Sequence, residues 1–354
     1  MNEELPVEEK RNEPFFKKYK IHLSVAAAVL VVGVSALAHY KNEQVKEELV
    51  KAISEYQESL LLIGGEMNYE SIDCSGLIST DCEIEALKFS VMGQEQLSIG
   101  TLRFGNMEDL AKFKAFANAG ENIKASIDIE ADKVALPKAI IGQMIAQNVS
   151  NAFQQSTLGK LSTINLSLKG EIEGNAMNIK HLEIDRFRID NDIMPLEFSM
   201  NARDVSSSAP DSMILEEFSL TLENRAISDV TYESVKSFTD TLQKDDKATF
   251  LKEFALTPAE LNDRKKASLA INTAIAKRFE SDLPNTPGVV EKDLIRAMIQ
   301  MLKGEVDEIT LEGENKNDLS MVQIQNALLQ SSTMSDEEAR KFMDDKFKIE
   351  VEAD

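Results

Sequence analysis

Strict alternation of apolar and polar residues in two separate segments most constrains the fold of this chain. In ENIKASIDIEAD, residues 121–132, every second residue from Ile123 to Ala131 is apolar, and charged residues or serine stand between them. The C-terminal FKIEVEAD, residues 347–354, repeats the pattern. A period of two is that of a β-strand with one buried face, which is typical of antiparallel or mixed sheets. The sequence therefore predicts a β-rich body whose sheet has one wet face.

A second pattern recurs in the strand-like segments, with apolar residues at a step of three and then a step of two. It occurs as Ile84/Leu87/Phe89, Ile99/Leu102/Phe104, Ile179/Leu182/Ile184, Leu215/Phe218/Leu220 and Val306/Ile309/Leu311. A step of three moves the side chain to the other side of a strand. Each instance therefore predicts a bulge or a corner.

Helical periodicity divides the rest of the chain. Apolar residues from Val45 to Leu60 recur at helical spacing, and so do those of NMEDLAKFKAFANAG and KAIIGQMIAQNVSNAF inside the β-rich body. The capping box TPAE and the helix from Thr286 to Gly304 belong to a longer helical region. We expect an α+β protein with a cytoplasmic tail 1–20, a transmembrane anchor 21–40, an amphipathic helix 41–66, a β-rich body 67–228, a helical excursion 229–304 and a return to the β-rich body 305–354.

Residues 21–40 form an uncharged, mostly apolar run. Twenty helical residues span roughly 30 Å, which is the thickness of the hydrocarbon core. The basic segment FFKKYK precedes the run, so we expect a single-pass inner-membrane protein with its N-terminus in the cytoplasm and its body in the periplasm. The alternative is a signal peptide cleaved after ALA, residues 36–38. Both interpretations export the body.

The only two cysteines are Cys74 and Cys82 in SIDCSGLISTDCEIE. In an oxidising compartment two neighbouring thiols are expected to pair. The segment is typical of a hairpin with a turn near Gly76, which places the two residues opposite each other at a distance suited to a disulfide. We predict a structural bridge, because a redox centre favours Cys-x-x-Cys and a zinc site needs more ligands.

Charge and the scarcity of histidine exclude several classes of function. Residues 1–40 carry five basic and five acidic groups, so the net charge of −22 belongs to residues 41–354. Such a body repels phosphate backbones, and we expect no nucleic-acid partner. His181 is the only histidine outside the anchor, and we expect it on a wet strand face. We predict no catalytic, cofactor-binding or metal-binding residues, although DRFRIDND and MSDEEARKFMDD are rich in carboxylates.

The order of an N-terminal anchor, an amphipathic helix and NYESIDCSGLIST resembles the YdgA-like family of bacterial inner-membrane-anchored envelope proteins of unknown function. More loosely it resembles the AsmA-type β-rich lipid-transport proteins. AMIQMLKGEVDEITLEGENKN is similar to a segment near the C-terminal part of the YdgA-like family. The resemblance implies the compartment and the architecture, and it transfers no active site.

Two functions are compatible with these features. The first is a non-enzymatic, membrane-tethered periplasmic scaffold or assembly factor in a larger envelope machine, with other envelope proteins as its partners. The alternative is a periplasmic carrier of a lipid or another hydrophobic ligand, which needs an apolar sheet face that helices do not fill. The absence of recognisable catalytic motifs from the sequence, and the sheet edges expected in a β-rich body, favour the scaffold.

Overall fold

The computed structural model describes most of the chain after the predicted anchor. The described residues are 41–55, 57, 58, 60, 61, 64–77, 79–109, 122–135, 163–175, 178–206, 210–286, 288–331 and 333–354. Within these ranges no helix has the length and apolar character needed to cross a membrane. The predicted anchor 21–40, and most of the helices predicted at 106–120 and 138–153, lie outside the described residues.

Eleven strands in the described residues form one sheet, in which every pairing is antiparallel. The sheet order is β1-β3-β4-β5-β6-β7-β8-β9-β10-β11, and β2 pairs with β3 beside β1. The strands are β1 Gly65–Asn68, β2 Ser71–Ser75, β3 Asp81–Val91, β4 Gln94–Phe104, β5 Ile123–Ala135, β6 Thr163–Asn175, β7 Asn178–Asp190, β8 Leu196–Ser206, β9 Ile214–Glu223, β10 Glu308–Asn315 and β11 Phe347–Ala353.

The sheet has one apolar face and one polar face along its whole width. One row of cross-strand partners reads Ile84, Leu102, Ala131, Leu166, Ile189, Leu196, Leu222, Ile309 and Ala353. The next row, one residue along, reads Glu83, Arg103, Glu130, Ser167, Arg188, Glu197, Thr221, Thr310 and Glu352. The predicted alternation thus extends through nine neighbouring strands, because each register keeps side chains of one kind on one side.

Helices pack on the apolar face at both ends of the sheet. Their bounds are α1 residues 41–55, continued by helical residues 57, 58, 60 and 61, α2 Ile227–Thr241, α3 Lys244–Lys252, α4 Arg264–Asp282, α5 Val289–Lys303, α6 Met321–Ser331 and α7 Asp336–Asp344. Ile53 of α1 packs with Ile72 and Ile84 at one end of the sheet. At the other end, α5 packs on β10 and β11 through Met301 and Ile309.

The long helical segment is inserted between two neighbouring strands. The sequence predicts a helical excursion at 229–304, and helices α2–α5 run from Ile227 to Lys303 while β9 and β10 pair directly. Helices α2–α4 share a core of their own around Tyr232, Leu251 and Ile271. The excursion therefore leaves the strand order of the open sheet unchanged.

Two predicted boundaries need correction. The helix expected over 41–66 ends earlier, since Gly64 has a positive φ of 72° and Gly65 already belongs to β1. The capping box at Thr257 and Glu260 is formed, but it heads a short 3-10 turn, Glu260–Asn262. Helix α4 instead begins after Asp263, whose side chain accepts a hydrogen bond from the Lys266 N–H at 3.2 Å.

Candidate functional site

An apolar pocket lies where the end of the sheet meets the last three helices. Its volume is about 260 Å³. Its apolar lining comes from β9 (Leu215, Phe218), α5 (Val290, Leu294), β10 (Leu311, Gly313), α6 (Ile324, Leu328), α7 (Met343) and β11 (Phe347, Ile349). Few polar groups reach into it, so the pocket suits an apolar ligand and offers little for recognising a polar one.

Helix α5 forms one wall of the pocket and is fixed on two sides. Ile299 and Leu302 pack against Ala276 of α4, while Ala297 and Met301 pack on the sheet. Gly304 ends the helix in the left-handed conformation, with φ 71°, and the Glu305 N–H donates to the Gln300 carbonyl at 3.0 Å. The wall is therefore held in place on both sides, and Val290 and Leu294 line the pocket.

Gly313 allows the floor of the pocket to form. A Cβ at this position of β10 would lie 2.2 Å from Phe218 Cε1 on the neighbouring strand β9. Real side chains do not approach so closely, so the phenyl ring of Phe218 occupies the space that any other residue at 313 would need. The glycine in the sequence LEGEN thus has a packing role inside a strand.

The rim of the pocket is acidic. Glu216, Glu291 and Glu314 line its edge, and no basic residue lies among the lining residues. Glu216 is bound by Arg203, whose Nε is 2.9 Å from Glu216 Oε1, whereas Glu291 and Glu314 are exposed. These carboxylates disfavour an anionic head group at the rim, so a lipid would enter the pocket with the free end of its chain.

The polar face carries ion pairs and not an open anion site. Arg188, with an 18% exposed side chain, lies 2.9 Å from Glu197, 2.7 Å from Glu223 and 3.3 Å from Asp190. Hydrogen bonding to Glu197 raises the pKa of Arg188, although burial acts in the opposite direction, and Glu223 and Asp190 add to the rise. The arginines of DRFRIDND are thus neutralised by carboxylates, and Arg225 binds Asp190 as well.

The predicted disulfide between Cys74 and Cys82 is present. The two residues are direct cross-strand partners in the β2–β3 hairpin, with their Cα atoms 4.1 Å apart, and Cys82 is 1% exposed. Just beyond the bridge, buried Thr80 donates from Oγ1 to Asn42 Oδ1 at 2.7 Å, and Asn42 Nδ2 donates to the Gly76 carbonyl at 3.1 Å. The bridged hairpin therefore holds the first turn of α1 directly after the predicted anchor.

Glu108 extends this contact. Its carboxylate accepts hydrogen bonds from the Thr80 N–H and forms an ion pair with Lys41. Burial alone would raise the pKa of Glu108, but the bonds from Lys41 and Thr80 lower it. Lys41, the first described residue, is thus bound by a charge-assisted contact to the helical residues 107–109 that follow β4.

The other predicted positions do not form a reaction centre. His181 lies on the polar face of β7, 3.6 Å from Glu183 and between Glu173 and Arg203 on the adjacent strands. MSDEEARKFMDD forms α7 with its Ser335–Glu338 capping box. In the part of the chain that the structure describes, no three His, Cys, Asp or Glu side chains form a group able to hold a metal ion.

Comparisons with protein-family models and with curated proteins found no match for this chain. The resemblance to the YdgA-like family therefore stays a prediction. The sequence analysis did not predict the pocket. The one sequence signal for it is Gly313, a glycine in the middle of an alternating strand.

Proposed function

We propose that this protein is a membrane-tethered periplasmic carrier of a lipid chain or another hydrophobic ligand, and that it is not an enzyme. The apolar pocket carries the proposal, since an apolar concavity with few polar groups is the usual form of such a site. Its volume of about 260 Å³ lies slightly below the usual range of roughly 300–1,000 Å³. It suits the end of an unbranched chain.

The rest of the apolar sheet face supports the same function. Phe198, Phe187 and Leu168 continue the apolar surface from β8 to β6, and each is half-buried. Met200 lies directly beside Phe218 of the pocket floor. An acyl chain too long for the pocket would therefore extend along apolar side chains of the sheet and not across charged ones.

The scaffold proposed from the sequence ranks second. The open edge of β11 favours it, because an unpaired strand offers backbone groups to a partner. The carrier ranks first because the pocket is already formed, whereas a scaffold does not require it. The two functions are compatible in one tethered protein.

A photocrosslinking experiment with matched variants tests the carrier. Cells expressing the full-length protein are fed a diazirine-containing fatty acid and irradiated, and the adducts are mapped by mass spectrometry. Adducts are expected on pocket residues such as Leu294, Phe218 and Ile349. Val290→Phe, which fills the pocket, should remove them. Val322→Phe makes the same change at a 43% exposed position of α6 and should leave them unchanged.

Two outcomes would contradict the proposal. One is a labelled protein without adducts on the lining residues. The other is equal labelling of these residues in the Val290→Phe and Val322→Phe proteins, because then the adducts would not depend on the pocket.

A further inference from the structure

The outer edge of β11 exposes backbone groups that no described residue satisfies. Glu308 and Asp354 exchange both backbone hydrogen bonds, at 2.9 and 3.1 Å, which fixes the alternation of the β10–β11 ladder. The even-numbered residues of β11 therefore bond to β10. The N–H and C=O groups of Ile349, Val351 and Ala353 point outward, and none of them forms a hydrogen bond within the described residues.

The opposite edge of the sheet is shorter and better protected. It is made by β1 and β2, of four and five residues, whereas β11 has seven. The Met67 carbonyl of β1 already accepts a hydrogen bond from Gln57 Nε2 of the α1 region at 2.7 Å. Among the described strands, β11 is thus the one most open to an additional strand.

Charge determines which strand fits this edge. The polar face of β10 and β11 carries Glu308, Glu312, Glu314, Glu350, Glu352 and Asp354, with Lys348 as its single base. Lys348 is paired with Glu350 at 3.0 Å. A strand placed beside β11 therefore meets a surplus of carboxylates on its wet side, and basic side chains there are favoured.

We propose that the β11 edge binds an extended basic segment of another protein as an additional antiparallel strand. The register defines the segment. Its residues opposite Ile349 and Val351 lie on the apolar face, those opposite Glu350 and Glu352 are lysine or arginine, and the one opposite Lys348 is acidic.

A second copy of this chain is a poor occupant of the same edge. In the antiparallel register that places Ile349 opposite Ile349, Lys348 faces Glu350 of the second copy, but Glu352 faces no base within β11. The strands β1 and β2 contribute only Glu66 and Asp73 as charged residues. A basic segment of another protein pairs with both Glu350 and Glu352, so it matches the charge of the β11 edge better than a second copy or the described strands of the opposite edge do.

The test uses full-length protein in nanodiscs of zwitterionic lipid and a labelled seven-residue peptide. The peptide reads threonine, lysine, valine, lysine, valine, glutamate, threonine, so that in antiparallel register its lysines face Glu352 and Glu350. Fluorescence anisotropy should show saturable binding below about 1 mM. A peptide with lysine and glutamate exchanged should bind at least about fivefold more weakly, and empty nanodiscs should bind neither.

Two further arms separate strand addition from simple charge attraction. N-methylation of the two valines removes the N–H groups that would donate to Ile349 and Val351, and it should abolish binding, whereas N-methylation of the two lysines should be tolerated. The exposed double variant Glu350→Lys/Glu352→Lys should reverse the preference between the two peptides.

Several results would overturn the proposal. Equal binding of the two N-methylated peptides would show that the backbone edge is not used, whatever the double variant does. If the unmodified lysine peptide shows no saturable binding, the proposal is also wrong. Disulfide crosslinking of Glu352→Cys proteins into dimers would instead assign the edge to a second copy.

Discussion

Phe218 and Gly313 show how one backbone position shapes a whole pocket. The phenyl ring lies over the glycine on the neighbouring strand, in the place of a side chain. Space for an apolar ligand therefore depends on the absence of one carbon atom. At an ordinary strand position an added methyl group points into solvent or a neighbouring side chain that can move, but here it meets an aromatic ring packed in a pocket floor.

Gly313→Ala should destabilise the protein by about 1–3 kcal/mol, because the added methyl group overpacks the floor and displaces Phe218. Urea denaturation of the full-length protein measures the effect, and lipid photocrosslinking to the pocket should fall with it. Glu312→Ala, at an exposed neighbouring position on the polar face, serves as the control and should change stability by less than about 0.5 kcal/mol. Equal stability of the Gly313→Ala protein and the wild type would contradict the role given to this glycine.

Glu260 gives a pH dependence with a defined sign. Lys266 donates to its carboxylate at 2.6 Å, and the Thr257 N–H and hydroxyl donate at 2.9 and 2.8 Å, which lowers the pKa of Glu260 to about 2. Because the pKa of Glu260 is lower in the folded state, its carboxylate stabilises the fold at any pH above about 4.3, the pKa in the unfolded chain. This contribution is lost as the pH falls through the pKa of the folded state. The wild type should therefore be more stable than Glu260→Gln at pH 7.

Denaturation of both proteins between pH 7 and pH 2 checks this expectation. The difference in stability between them should be constant from pH 7 to about 5 and should shrink toward pH 2. A difference that stays constant down to pH 2, or grows as the pH falls, would contradict the assignment.

At the scale of elements, the contact between α1 and the β2–β3 hairpin joins the part of the chain next to the predicted anchor to the sheet. Thr80 is 0% exposed, and its hydroxyl is a partner of Asn42. The disulfide between Cys74 and Cys82 joins the two strands that flank this turn. The disulfide and the Thr80–Asn42 hydrogen bond hold the same turn, so losing either should favour local unfolding of the β2–β3 hairpin.

Thr80→Val should cost about 1–3 kcal/mol, because the change keeps the shape of the side chain and leaves Asn42 Oδ1 buried without its donor. Thr249→Val makes the same replacement at an exposed position of α3 and should change stability by less than about 0.5 kcal/mol. Chemical denaturation measures both. Similar losses in the two variants would show that the contact with Asn42 contributes nothing specific.

Replacing Cys74 and Cys82 together with alanine should destabilise the protein by about 2–3 kcal/mol, since the bridge closes a short loop in the unfolded chain. Amide hydrogen exchange should become faster in residues 71–85 and stay unchanged in α4. In the unreduced, unfolded wild type, thiol titration should find no free cysteine. Two reactive thiols per chain would show that the bridge does not form.

The elements also show where sequence reasoning succeeds. Alternation predicted β5 and β11 because a half-buried strand leaves the same signal wherever it lies. The step from Leu215 to Phe218 predicted an irregular strand, and the register of β8 and β9 does shift between Asn201 and Ala202. The capping box at Thr257 was identified correctly. The same local sequence pattern did not reveal that Asp263, and not Thr257, caps the long helix α4.

At the scale of the whole molecule, the sequence predicted the α+β class and missed the pocket. The walls of the pocket come from β9, α5, β10, α6, α7 and β11, and in the sequence the whole helical excursion separates β9 from β10. Periodicity tells which side of an element is apolar and not which apolar sides meet. Only the sheet order, with β9 beside β10, brings these surfaces together.

The predicted anchor, residues 21–40, also concerns the whole molecule, because it would decide whether the protein stays at the membrane. The run 21–40 has no charged residue, and basic residues precede it. Mass spectrometry of the mature protein from membranes should identify the N-terminal tail, residues 1–20, in the same molecule as the body. A mature N-terminus at His39 would show instead that the run is a signal peptide and that the body is released.

The order of strands has a consequence for how the chain folds. From β3 to β9 each strand pairs with the strand before it, so this part of the sheet can grow by one strand at a time as the chain becomes available. The pairing of Glu223 with Glu308 is different, since it must wait for the whole excursion between them. Closing so long a loop costs entropy before any contact compensates for it. We therefore expect the sheet to assemble early up to β9 and the apolar pocket, which needs β9 and β10 together, to form late.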